Sequence, residues 1–156
     1  MRALIALVFF AGLAACAHAA PQPAVAPAFD GLIAVDSVHS FDDTVARLEA
    51  ALAARQLKTF KIDHAANAAG AGLTLRPTAL YIFGNPKGGT PLMEIAPTAG
   101  VDLPLKVLVV EEGGRTRLVY NDIDYIARRH AIPADAGPLA TIARLLAEVA
   151  AEAAGR

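Results

Sequence analysis

The sequence predicts an α+β domain in which a sheet carries its helices on one face. Three observations lead there. Phe41, Val45, Leu48 and Leu52 recur at helical spacing near the start, and Leu139, Ile142, Leu146 and Val149 do so near the end. Between these stripes lie apolar runs of strand length that are not each followed by a long helix. That order suits helices packed on one side of a sheet better than a doubly wound fold.

Taken in order, Gly31 to Val38 reads as a first strand, apolar on both faces. Ser40, with Asp43 three residues on, is close to a capping box and starts the first helix. Asp42, Arg47, Glu49 and Arg55 form its polar face. A second strand is expected from about Leu57 to Ile62, then a small-residue segment from Ala65 to Gly72, short helix or loop. A third strand covers Thr78 to Phe83 and delivers into Gly84-Asn85-Pro86-Lys87-Gly88-Gly89-Thr90-Pro91. This stretch reads as a shaped loop, with Thr90 as cap and Pro91 as first residue of one or two helical turns through Ala96.

Leu103 to Glu111 gives a fourth strand, and Glu112-Gly113-Gly114-Arg115 turns the chain into a fifth, Thr116 to Tyr120. Asn121 or Asp122 caps a short helix with Arg128, Arg129 and His130 in its last turn, where cations suit the helix dipole. Pro133 stops it, and Gly137-Pro138 opens the last helix. Strands three and four are apolar on both sides, so the face away from the helices also needs cover; a homodimer would supply it.

At 156 residues the chain is expected to hold one domain, residues 30–154, behind a targeting segment and a linker. Arg2 followed by the apolar run Ala3 to Ala15 is too short for the ~20 residues a membrane span needs and fits a secretory signal. Leu13-Ala14-Ala15-Cys16 reads as a lipobox, which would put a lipid on Cys16; Ala17-His18-Ala19 offers ordinary signal cleavage instead. Either makes the protein exported, periplasmic, and in the first case membrane-anchored. Residues 16–29 are Ala/Pro-rich, an extended linker able to hold a domain up to ~40 Å from a membrane. Losing residues 1–15 leaves 13 basic against 15 acidic side chains, a balance that points to no nucleic acid partner. Arg128-Arg129 is too small a basic patch to change that. A single cysteine excludes an internal disulfide, and no Cys/His set has zinc spacing, so no metal is expected.

Two stretches carry candidate chemistry. Asp63-His64 sits at a strand end, where a carboxylate can orient an imidazole base, although strand neighbours face opposite ways. Turn duty for Asp63 and a hydrogen-bonded His64 is the alternative. Asn85 to Thr90 has glycines that let backbone amides approach an anion, without the order of a phosphate-binding Walker loop. Arg76 offers a fixed guanidinium for a carboxylate or phosphate, or an ion pair that only holds the fold. Tyr120 and Asp122 add a phenol and an acid near a strand end, where cap duty competes. No cofactor is indicated.

The same residues carry a resemblance. Asp63-His64-Ala65, Leu75-Arg76-Pro77-Thr78, Phe83-Gly84-Asn85-Pro86 with Gly89-Thr90-Pro91-Leu92-Met93, Asp102-Leu103-Pro104-Leu105-Lys106 and Tyr120-Asn121-Asp122 are similar to the bacterial and archaeal domain of unknown function 302. The resemblance runs from about Asp30 to Leu146. It implies a TATA-binding-protein-like β-α-β(4)-α fold with a mostly antiparallel five-stranded sheet, often dimeric, and carries over no catalytic roles. Where the family usually has glycine after the first helix, this chain has Gln56. The expected function is a lipid-anchored, homodimeric binding module for a small polar or anionic ligand, using Asp63, His64, Arg76, Asn85 and Thr90. The alternatives are an envelope enzyme with His64 as base, partnered by Asp63 or Asp122 and by Arg76, and a structural envelope module.

Overall fold

Strict alternation along three central strands sets the layers. In β3 (Thr78–Gly84) Ala79, Tyr81 and Phe83 are buried, in β4 (Leu105–Glu112) Leu105, Val107 and Val109, and in β5 (Arg115–Asn121) Thr116, Leu118 and Tyr120. Period-two burial of this kind gives a sheet one covered face and one open face. The computed structural model describes residues 31–156, so the expected signal, Cys16 and the linker lie outside the described residues.

The sheet is five-stranded and antiparallel throughout, in the order β1-β5-β4-β3-β2, with β1 at Leu32–Asp36 and β2 at Lys58–Asp63. Two long helices, α1 (Phe41–Ala54) and α5 (Pro138–Ala154), pack on each other and on the covered face. Their stripes supply Leu48, Leu52, Leu139, Ile142, Leu146 and Val149 to the core. Burying a side chain of this size is worth about 1.5–3 kcal/mol. Ser40 caps α1 as expected, its hydroxyl accepting from the Asp43 amide at 3.2 Å. Gly113 and Gly114 take φ of 58° and 73°, the double positive φ that a two-residue hairpin needs.

Shorter helices join the strands: α2 (His64–Gly70), α3 (Pro86–Ile95), a 3-10 turn at Pro97–Val101, and α4 (Ile123–Arg129). Gln56 follows α1 with a φ of 54°, so the left-handed position does exist, occupied by a residue with a Cβ.

On the open face, register aligns Ile62, Leu80, Leu108, Val119 and Ala34 across all five strands. Phe60, Ile82 and Val110 flank that row, and Phe60 is 57% exposed.

Candidate functional site

The stretch after β3 is helical where a loop is expected. Asn85 is the cap, its side-chain oxygen accepting from the Lys87 amide at 2.9 Å, and Pro86 takes the first helical position. Asn85-Pro86 and Thr90-Pro91 are equivalent helix-start signals, and the earlier one wins. Thr90 is therefore not a cap but an exposed residue inside α3, and Pro91 lies within the helix. Gly88 and Gly89 have ordinary helical backbone; their neighbours are Ile142 of α5 and Leu103, respectively. Two glycines and an internal proline make α3 a poor helix by composition alone. Packing holds it in place, through Leu92, which is fully buried.

A groove runs past Gly88 and Gly89, which are among its lining residues. It has a volume of about 1120 Å³ and runs between α3, the first half of α5 and the ends of β2, β3 and β4. Such a volume lies just above the usual range for small-molecule sites. Its lining is mainly apolar: Leu57, Phe83, Met93, Leu103, Leu105, Ile142 and Leu145 recur around it, with Asn85, Thr90 and Thr141 as polar members. The charged lining residues are Arg55, Lys58 and Lys87, with no carboxylate among them. Arg55 is already engaged by Glu152 at 2.9 Å, which raises its pKa and lowers that of Glu152. Lys58 lies over the Phe60 ring at 5.3 Å. Neither Lys58 nor Lys87 has a carboxylate partner among the described residues.

The residues singled out in the sequence separate into distinct places. Asn85 and Thr90 line the groove. Asp63, His64 and Arg76 sit at the other end of β3, a strand of seven residues and so ~20 Å away. There Asp63 caps α2, accepting from the Ala66 amide at 2.9 Å, and His64 is the first helical residue. Arg76 pairs with Glu112 at 3.1 Å, part of a ladder that continues through Arg117 to Asp36. The Arg117 guanidinium, donating to Asp36 at 2.7 Å, holds that carboxyl below its ordinary value. Tyr120 is buried on the covered face, and burial raises its pKa with help from Asp122. Asp122 caps α4 through the Asp124 amide. A pocket built jointly from Asp63, His64, Arg76 and the Asn85–Thr90 segment is not formed, because β3 holds its parts at opposite ends.

Two polar arrangements escaped the sequence reading. Thr98 Oγ1 meets His130 Nδ1 at 2.9 Å, and His130 Nε2 meets Asp102 at 2.7 Å, a hydroxyl–imidazole–carboxylate series. Its members do not line the groove; they tie the 3-10 turn to the end of α4. The second is Tyr81, whose buried phenol donates to Glu49 at 2.6 Å while Lys61 reaches the same carboxylate. Burial, then the Glu49 contact, pushes the Tyr81 pKa well up. Neither signal is local: the paired residues lie 28 or more positions apart, except Glu49 with Lys61. Among the described residues no three His, Cys, Asp or Glu side chains are placed to hold a metal, and no helix is long and apolar enough to cross a membrane.

Comparison with known proteins fits this architecture. The family model for domain of unknown function DUF302 matches residues 33–153. The chain belongs to the DUF302 family. A crystal structure of an uncharacterised conserved DUF302 protein from Bacillus stearothermophilus superposes with a TM-score of 0.71 at 20% identity, covering 80% of this chain and 99% of that one. At that identity the likeness speaks for the fold. By sequence, the chain is 43% identical over 104 residues to the fluoride-specific ion channels FluC 1 of Brucella suis biovar 1 (strain 1330) and FluC 2 of Brucella melitensis biotype 1. The match takes in 65% of this DUF302 chain but only 41% and 38% of those proteins.

Proposed function

We propose that this DUF302 domain is a binding module whose ligand site is the groove between α3 and α5. The observation that carries the reading is the composition of α3 itself. A helix with two glycines and an internal proline costs stability, and departures from local preference of this sort collect where function needs them. Both glycines line the groove, where each presents backbone and no side chain. Binding is favoured over turnover because, among the described residues, no histidine, carboxylate or cysteine lines the groove to form an acid–base pair facing a ligand.

The module is proposed to work at a membrane surface after export, held by a lipid on Cys16. Support comes from the apolar run ending at Cys16 and from the matching segment's presence in proteins named as ion channels. It is proposed to act as a homodimer joined through the open sheet face, where the Ile62-Leu80-Leu108-Val119 row would otherwise meet water. Light scattering at micromolar concentration should give the dimer mass, and Leu108→Lys should give the monomer; a wild-type monomer contradicts the pairing.

Native mass spectrometry of the protein taken from its own envelope tests the binding reading. A retained small molecule that is lost from Thr141→Phe, which fills the groove from an exposed position on α5, is the expected result. Protein free of any ligand, together with no groove resonance moved by a diverse fragment set, would contradict it. The same spectrum reports the lipid on Cys16.

A further inference from the structure

We infer that the groove takes a single-chain amphiphile with an anionic head, a long-chain carboxylate or alkyl phosphate. The inference rests on the groove being the ligand site and adds the class of ligand. Apolar side chains make its floor, with Leu103, Leu105, Ile142 and Leu145 spread from the strand ends to the first turns of α5. Against that floor the uncharged polar lining side chains, Asn85, Thr90 and Thr141, are few for a sugar or a nucleobase.

Charge is confined to one end. Lys58 stands opposite Gly84 across the β2–β3 ladder, at the rim where the groove opens towards Phe60 and Ile82, and Lys87 lies three residues beyond Gly84 in the first turn of α3; both are exposed. Arg55 also lines the groove, but its charge is met by Glu152 and Glu148. That leaves two ammonium groups for the ligand, and no carboxylate among the described residues lines the groove to neutralise them. A cationic head would meet uncompensated like charge there, and a neutral one would gain nothing from the two exposed lysines. An anion at the lysine end with an alkyl chain along the floor satisfies both halves of the lining.

Titration calorimetry with the full chain, below micelle-forming concentrations, tests this. The probes are decanoate, dodecanoate and tetradecanoate, with dodecyl phosphate and dodecyltrimethylammonium at matched chain length. Affinity for the carboxylates should rise roughly fourfold per added methylene, the value expected from the transfer of one buried CH2. Dodecanoate should bind up to about tenfold more tightly than dodecyltrimethylammonium, and the double variant Lys58→Gln/Lys87→Gln should erase that preference while keeping the chain-length slope. The ratio of dodecanoate to dodecyl phosphate identifies the head. Equal binding of the cationic probe, or affinity independent of chain length, overturns the ligand class. If no amphiphile binds but fragments still shift groove resonances, the class fails and the groove reading stands; if nothing shifts them, both fail. Circular dichroism of each variant separates lost binding from lost fold.

Discussion

Replacing Gly88 and Gly89 with alanine should stabilise α3 and weaken ligand binding at the same time. A Cβ at Gly88 would sit 4.0 Å from the Ile142 Cδ1 atom, and one at Gly89 3.7 Å from Leu103 Cδ1. Both are ordinary contacts, and neither glycine has a positive φ, so no strain opposes the change. Glycine costs a helix interior ~1 kcal/mol relative to alanine, and proline ~3 kcal/mol. Two glycines and Pro91 therefore leave α3 about 5 kcal/mol poorer than an alanine helix of its length. The Asn85 cap returns only about 1 kcal/mol. From these magnitudes α3 should open locally well before the core does. Hydrogen exchange read by NMR is the assay. Wild-type α3 amides should exchange at least about tenfold faster than those of α5, and Asn85→Ala should speed them about fivefold further. Gly88→Ala/Gly89→Ala should slow them by at least tenfold, while affinity for a groove ligand falls, since both methyls enter the gap between α3 and its neighbours. Equal protection of α3 and α5 in the wild type would refute the reasoning. So would a double-alanine variant that is stabilised yet binds unchanged.

Alkaline stability provides a second test. The phenol of Tyr81 ionises near its ordinary value of 10.0 when unfolded and well above it when folded, so the unfolded chain releases a proton that the native one keeps. Stability should be full below pH ~10 and fall as pH rises beyond it; urea titrations should show a shallower fall for Tyr81→Phe. A slope unchanged by the substitution would remove Tyr81 from the account. Gln56→Gly should raise the midpoint of urea unfolding, because glycine takes a φ of 54° without the Cβ clash, a gain of up to ~1 kcal/mol after the entropy cost of the unfolded chain. Destabilisation would mean that the Gln56 side chain contributes more than its backbone costs.

How much was legible depends on how far apart the deciding residues lie. The stripe Phe41-Val45-Leu48-Leu52, the Ser40 cap and the Gly113-Gly114 turn are decided within one or two turns of chain, and local rules place them. The start of α3 is also local, but the chain writes the same signal twice, at Asn85-Pro86 and at Thr90-Pro91. Only the burial of Leu92 and the seating of Gly88 against Ile142 choose between them, and those are contacts of the folded state. Of the groove, the sequence singled out only Asn85 and Thr90. The groove is assembled from segments around Leu57, Phe83, Met93, Leu103 and Ile142, whose meeting depends on the whole sheet order. Lys58 and Lys87 lie far apart in the chain and come to one groove only in the folded protein. Asp63 and His64 drew attention as a pair, yet the carboxylate was claimed by the next helix. The His130–Asp102 contact joins residues 28 apart and has no local trace.

Methyl NMR of the full chain during a dodecanoate titration tests the central claim most directly. The account predicts saturable shifts at Met93, Leu103, Ile142 and Leu145, which line the groove, with Leu80, Leu108 and Val119 on the open sheet face unmoved. Shifts confined to the open face, or none in the groove at saturating probe, would contradict it.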